Sequence, residues 1–340
     1  MGPSNLARGG KERGGKMTWK NEDLLSMYRY MVLCRALEQG IAKNAGNWHP
    51  AEGEEGVVVG TFYNLRQEDV TSPHFRGIPI VQYMRGASLR RIWGGLMGKA
   101  TSYSQGRFRA LRGPFEFKIL GTFSGVLGPS ISIAVGGALA AKLDKSDRVA
   151  VVSFGDGTSN RGDFHEAVNF AAIYKLPAVF VCQNNQFAIS TAASKSLGCR
   201  SVADRAVGYG IPGVEVDGND VVAMHEVVQE AVKRARQGKG PTLIEGRTYR
   251  VAGHWMADPG VYRSKEEVEE WKRKDPIRRL QEKLITLGVL KEEKVEEIRK
   301  SAEEDVAIAK KEAEGDPLPG EEVLGIDDIF APAGEGGAGR

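Results

Sequence analysis

Residues 149–190, VAVVSFGDGTSNRGDFHEAVNFAAIYKLPAVFVCQNNQFAIS, restrict the possible folds more than any other stretch. An apolar run, Val149–Phe154, has the length of a buried strand and breaks at Gly155-Asp156-Gly157. Phe164, Val168, Ala171 and Ala172 then recur on one face of a helical spacing. Pro177 restarts the chain into a second apolar run, Ala178–Cys182, which ends at Asn184-Asn185. Strand, helix, strand at this spacing is a βαβ unit, so the two strands are expected as parallel neighbours. Ligands of such sheets bind at the carboxyl ends of the strands, and both polar clusters fall there.

Asp156 offers a carboxylate oxygen and Asn185 an amide oxygen. Hard oxygen donors of this kind suit Mg²⁺, which keeps water and phosphate oxygens in its other positions. Gly155 and Gly157 let backbone N–H groups approach a phosphate, and the following helix turns its positive end toward it. The residues therefore read as a Mg²⁺-bridged diphosphate site.

The rest of the composition narrows the class. The chain has 340 residues, 41% of them hydrophobic, enough for one large α/β domain or two small ones. A net charge of +3 with scattered basic residues gives no nucleic-acid footprint. The longest apolar run, near Ile131–Ala141, is too short to span a bilayer. Cys34, Cys182 and Cys199 are odd in number and lack metal spacing, which points to reduced thiols in a cytoplasmic protein. Residues 1–16 are Gly/Lys/Arg-rich without an apolar segment and are expected as a disordered lead, with Met17 an alternative start.

The central stretch resembles the thiamine diphosphate motif, which opens with Gly-Asp-Gly and closes with Asn-Asn. More narrowly it is similar to the alpha subunits of the decarboxylating component of 2-oxo acid dehydrogenase complexes, the pyruvate, branched-chain 2-oxo acid and acetoin enzymes. Gly162, His165-Glu166-Ala167, Asn169 and Leu176-Pro177 extend the likeness, which covers roughly residues 20–325. It implies a doubly wound parallel α/β sheet of the thiamine diphosphate-binding fold, with helices on both faces, over residues 17–263. A C-terminal helical extension would follow over 264–330, then a disordered tail over 331–340.

Apolar spacing predicts a helix from Asn21, as N-cap, to Lys43, with Arg35 and Glu38 as a surface i,i+3 pair. His49 precedes Gly53-Glu54-Glu55-Gly56, and the resemblance makes it an active-site histidine, with Glu54 where the family has Gln. Asp69–Ser72 is expected as a short strand, followed by Phe75-Arg76; the family's arginine here contacts the diphosphate, and Phe75 stands for its tyrosine. Ile78 and Pro79 replace a family His-Gly. Residues 107–114 carry several arginines and no histidine where many relatives have one; these arginines either grip an acidic substrate or are solvated. Gly125 and Leu127 match a segment that contacts the cofactor pyrimidine and props its bend, ahead of a small-residue helix over Pro129–Leu143. Val202–Tyr209 reads as helical, Val214–Asp220 as a strand and cap, and Thr242–Glu245 as a buried strand. His254 lies in a Gly-flanked loop like the family's Gly-His-Ser, with Trp255 for the serine. Ser264 and Asp275-Pro276 begin charge-rich helices with a stripe at Val295, Ile298, Ala302, Val306 and Ala309.

The resemblance implies thiamine diphosphate and Mg²⁺ as cofactors. Gly155, Asp156, Gly157, Thr158, Asn185, Phe187, Phe75, Arg76, Gly125, Leu127 and His254 would line the cofactor. Asp156, Asn185 and the Phe187 carbonyl would hold the metal, and His49 and His254 would be catalytic. The activating glutamate belongs to a pyrimidine-binding domain for which the chain has no room. A beta partner in an α₂β₂ assembly and a lipoyl-bearing acyltransferase are therefore expected. The expected reaction is decarboxylation of a 2-oxo acid, or cleavage of acetoin, with acyl transfer to the lipoyl group. A split transketolase-like or acyloin-forming enzyme is the alternative.

Overall fold

The computed structural model describes residues 12–13, 16–17, 19–44, 47–107, 113–120 and 127–324. Gly125 and residues 108–112 of the arginine-rich loop lie outside the described residues. The strands β1 (Val70–Ser72), β2 (Ala150–Gly155), β3 (Ala178–Asn184), β4 (Gly213–Asp217) and β5 (Thr242–Arg247) form one parallel sheet in the order β1-β2-β3-β5-β4. The expected pairing of β2 with β3 holds, with Ala150 opposite Ala178 and Gly155 opposite Gln183.

The longer helices are α1 (Asn21–Ala42), α2 (Glu55–Phe62), α3 (Ile78–Met84), α4 (Leu89–Met97), α5 (Pro129–Leu143), α6 (Gly162–Ile173), α7 (Val221–Arg236), α8 (Lys265–Lys272), α9 (Pro276–Thr286) and α10 (Glu292–Glu314). Strand side chains alternate between the two faces of the sheet. Val151, Val179, Val181 and Ile244 join a core with residues of α1, α2 and α7. Val152, Phe154, Phe180, Cys182 and Leu243 join a second core with α5 and α6. Strands covered on both faces need apolar residues at successive positions, which is why their sequences read as apolar runs. Each such side chain contributes ~1.5–3 kcal/mol on burial.

Helix starts follow the sequence signals at three places. Asp220 accepts from Val222 N and Ala223 N, Ser264 from Glu267 N, and Asp275 from Arg278 N ahead of Pro276. At α1 the expectation fails: Asn21 is the first helical residue, and Lys20 precedes it without a side-chain cap. Ala302, Val306 and Ala309 of the α10 stripe are buried beside α1 and α4. A Cβ on Gly40 of α1 would stand 3.0 Å from Val306, so the glycine sets how closely the two helices approach.

Both sheet edges carry features that disfavour strand addition. Outside β1, Thr71 N donates to Lys118 O and Leu120 N donates to Thr71 O, each at 2.8 Å. On β4, Glu215 pairs with Arg200 at 2.6 Å and with Arg247 at 3.2 Å. Among the described residues no helix is long and apolar enough to cross a membrane.

The neighbouring strands β1 and β2 release the chain in opposite directions. Ile78, Ile80 and Val81 after β1 join the α1–α2 core, whereas Phe164 and Val168 after β2 join the α5–α6 core. Divergence of this kind opens a crevice at the carboxyl edge of the sheet.

Candidate active site

The strand β2 delivers Asp156 to the floor of that crevice. Asp156 opens a 3₁₀ turn, Asp156–Asn160, closed by Ser159 Oγ donating to the Asp156 carbonyl at 2.6 Å, and α6 starts only at Gly162. Asp156 is 1% exposed and its Oδ2 has no hydrogen-bond partner. Burial pushes its carboxyl up to about 7. A buried carboxylate oxygen without a donor is a place where a cation would supply the missing interaction. Gly157 is forced by packing, since a Cβ there would meet the Ala188 Cβ at 2.5 Å. Thr158 is buried and its carbonyl accepts from Arg161 N at 3.0 Å.

From β3 comes Asn185. Its Nδ2 donates to Glu54 Oε1 at 2.8 Å, which assigns the amide orientation and turns Oδ1 away from Glu54. That oxygen accepts from Phe187 N at 3.2 Å and keeps acceptor capacity. Among the described residues no group of three His, Cys, Asp or Glu side chains could hold a metal. One carboxylate, one amide oxygen and the Phe187 carbonyl are the donors at hand. This hard, incomplete set fits Mg²⁺ with phosphate and water in its remaining positions. The Phe187 carbonyl also accepts from Arg250 Nη1 at 3.3 Å.

The facing wall is charged and almost fully buried. Arg76 is 2% exposed; it donates to Pro50 O and to His254 O, each at 2.8 Å, and lies 3.2 Å from His254 Nδ1. Glu54 stands 3.6 Å from the Arg76 guanidinium and accepts from Gln183 Nε2 at 3.3 Å. Burial lowers Arg76 to about 10 and raises Glu54 above the usual carboxylate range. Ring centroids of His49 and His254 are 4.8 Å apart, and Phe75 stands edge-on to His49 at 5.4 Å. Burial, helped by Arg76 and Arg250, brings both histidines down to about 4. They are therefore neutral at pH 7.

The loop after β5 is fixed by its own charges. Arg250, 1% exposed, donates to Ile189 O and lies against Tyr262 Oη, each at 2.6 Å. Arg263 donates to Val251 O at 2.7 Å and to Ala252 O at 2.6 Å. Asp258 accepts from His254 N, Gly260 N and Tyr262 Oη, and these bonds hold its carboxyl down at about 2 although burial opposes them.

The fold thus gathers Asp156, Asn185, Phe187, Phe75, Arg76, His49 and His254 at one edge of the sheet, with Gly155, Gly157 and Thr158 in the Asp156 turn. Leu127 precedes α5 and is 36% exposed. Sequence reasoning missed Glu38, Glu54 as a hub, His74 and Arg250. His74 is 8% exposed, its ring centroid lies 4.1 Å from that of Phe75, and burial pushes it well below its ordinary range. The expected surface pair of Arg35 and Glu38 is overturned. Arg35 binds Glu55 and reaches Asp275 at 2.8 Å, while Glu38 is 1% exposed and accepts from Trp48 Nε1 at 2.5 Å and Gly77 N at 3.2 Å. The signal was present: Glu38 continues the stripe Met27, Met31, Cys34, Ile41, every member of which is fully buried.

Comparison with known proteins identifies the family. The family model described as "Dehydrogenase E1 component" matches residues 25–322. The 2-oxoisovalerate dehydrogenase subunit alpha of Bacillus subtilis (strain 168) is 39% identical over 282 residues, 80% of this chain and 85% of the relative. The pyruvate dehydrogenase E1 component subunit alpha of Staphylococcus aureus (strain MW2) is 38% identical over 302 residues, 86% of this chain and 79% of the relative. The subunit of that name in Bacillus subtilis (strain 168) is 37% identical over 305 residues, 87% and 79% respectively. With a matched family model over most of its length and relatives this similar, the chain belongs to the dehydrogenase E1 component family.

Proposed function

We propose that this chain is the alpha subunit of a thiamine diphosphate- and Mg²⁺-dependent 2-oxo acid dehydrogenase, passing an acyl group to a lipoyl-bearing acyltransferase. The carrying observation is the partnerless Oδ2 of buried Asp156 beside an Asn185 amide already oriented by Glu54. Asp156, Asn185 and the Phe187 carbonyl would hold Mg²⁺. The chemistry supplied by bound thiamine diphosphate is a carbon nucleophile that makes loss of carbon dioxide from a 2-oxo acid feasible.

The chain's own contribution is anchoring and proton placement. Arg76 is a buried cation with one carboxylate partner at 3.6 Å, and a diphosphate would add the negative charge it lacks. His254 Nδ1 faces two guanidinium groups, Arg76 at 3.2 Å and Arg250 at 3.4 Å. Both can only donate, so Nδ1 accepts and the ring proton sits on Nε2. Neutral His254 can thereby donate from Nε2 to a phosphate oxygen, and neutral His49, in ring contact with it, can relay a proton to substrate.

The described residues hold one five-stranded parallel sheet with helices packed on it and the charge-rich helices α8–α10 after it. The pyrimidine-binding domain and its activating glutamate are assigned to a beta partner, with α₂β₂ the simplest assembly. Three free cysteines, two of them buried, fit a reducing cytoplasm. The test is to purify the chain with a beta-type partner, add thiamine diphosphate and Mg²⁺, and screen 2-oxo acids and acetoin for reduction of an artificial electron acceptor. Reduction with one substrate class, lost in Asp156→Ala, is expected. Cofactor binding without reduction of the acceptor by any of them would sink the dehydrogenase reading.

A further inference from the structure

We infer that Glu38 is a positioning residue of the site: its one carboxyl group ties the loop carrying His49 to the turn carrying Arg76 and fixes their separation. The inference rests on the reading that these two residues serve the bound cofactor. Glu38 projects from the buried face of α1. Its Oε2 accepts from Trp48 Nε1, and Trp48 immediately precedes His49. Its Oε1 accepts from the backbone N–H of Gly77, which immediately follows Arg76.

Both tied groups are themselves immobilised. Trp48 is 5% exposed. Gly77 has φ +84°, and a Cβ there would meet Val58 at 2.7 Å, so the turn sits tight against α2. Above the carboxyl group the same two segments meet again. Arg76 donates to His254 O, and the His49 ring lies 4.8 Å from the His254 ring. His49 and Arg76 are thus held from two sides, by the His254 loop and by α1. Satisfying the Trp48 indole alone needs a single acceptor; Glu38 uses both oxygens, on two different segments.

Charge makes the tie adjustable. Burial raises the Glu38 carboxyl to about 8; the two N–H donors and Arg76 oppose the rise and Glu55 adds to it. The Cys34 thiol, one turn back on α1, is a further titratable neighbour and is itself driven well up by burial. Ionisation strengthens a hydrogen bond accepted from an N–H roughly twofold. The grip on Trp48 and Gly77 should therefore tighten as pH rises through about 8.

The test uses the complex of this chain with its beta-type partner. Glu38→Gln keeps the shape and leaves one acceptor oxygen for two donors. Its expected effect is a fall in kcat and in thiamine diphosphate affinity of ~10–100-fold, with the substrate KM little changed. Trp48 emission, isolated by difference from Trp48→Phe, should show an inflection near pH 8 in the wild type and none in Glu38→Gln. Glu38→Asp keeps both oxygens on a shorter arm and should give an intermediate kcat. The double variant Glu38→Gln with Trp48→Phe should lose less than the sum of the two. Wild-type kcat in both Glu38→Gln and Glu38→Asp, or Trp48 emission indifferent to pH, overturns the inference. The emission titration needs no substrate, so a wild type that turns over no 2-oxo acid defeats the family reading while Glu38 is still judged.

Discussion

The floor and the far wall of the crevice are held by different kinds of contact. On the floor, Ser159 closes the Asp156 turn across three positions and Asn185 accepts from Phe187 across two. On the wall, Arg76 reaches Pro50 across 26 positions and His254 across 178. Glu54 joins the two regions by accepting from Asn185, 131 positions away. Short-range turns let a substitution remove one function and leave the fold. A wall made of long-range bonds between buried charges passes a single loss to every loop it joins.

The contrast can be broken most sharply at Arg76. Arg76→Ala leaves buried Glu54 with its bonds from Asn185 and Gln183 but without its guanidinium partner, which costs ~3–5 kcal/mol. Denaturant unfolding should show that loss together with weakened cofactor binding, and a stability within ~1 kcal/mol of wild type would mean the wall is not one unit. Asp156→Asn should do the reverse. It removes a buried carboxyl lifted to about 7, so the melting temperature without Mg²⁺ should rise, while Mg²⁺-dependent activity falls more than ~100-fold. Loss of both stability and activity would show that the floor is not local.

Acid should act first on the wall. His49 and His254 have folded pKa values of about 4, below their ordinary 6.5. The unfolded chain therefore binds more protons, and the stability they contribute is complete above pH 6.5 and lost as pH falls through 4. His49→Gln should flatten that part of a stability-against-pH curve. The smallest effect is expected far from either region: Arg299→Ala on α10, whose partners Glu296 and Glu303 are exposed, should leave the denaturant midpoint where it is in the wild type.

The same contrast explains what could be read in the sequence. The β2–α6–β3 unit declares itself through apolar runs and the breaks at Gly155-Asp156-Gly157 and Asn184-Asn185, because its order is local. Capping at Asp275 and Ser264 is legible for that reason too. Glu38 was misjudged because charge was weighed above position: its spacing from Cys34 and Ile41 placed it inside. Arg250 and the Glu54 hub give no local sign, since their partners Ile189, Tyr262, Asn185 and Arg76 are adjacent only once the sheet has formed.

The guarded margins of the sheet bear on how this subunit can meet another. Main-chain groups beside β1 are taken by Lys118 and Leu120, and β4 is flanked by Arg200, Glu215 and Arg247. Strand-to-strand addition would have to displace the bonds of Thr71 to Lys118 and Leu120 beside β1, and would meet charged side chains beside β4. A second chain that avoids these margins meets side chains on helices and loops. A surface of that kind can be chemically selective for its partner, whereas an exposed backbone edge accepts almost any extended peptide.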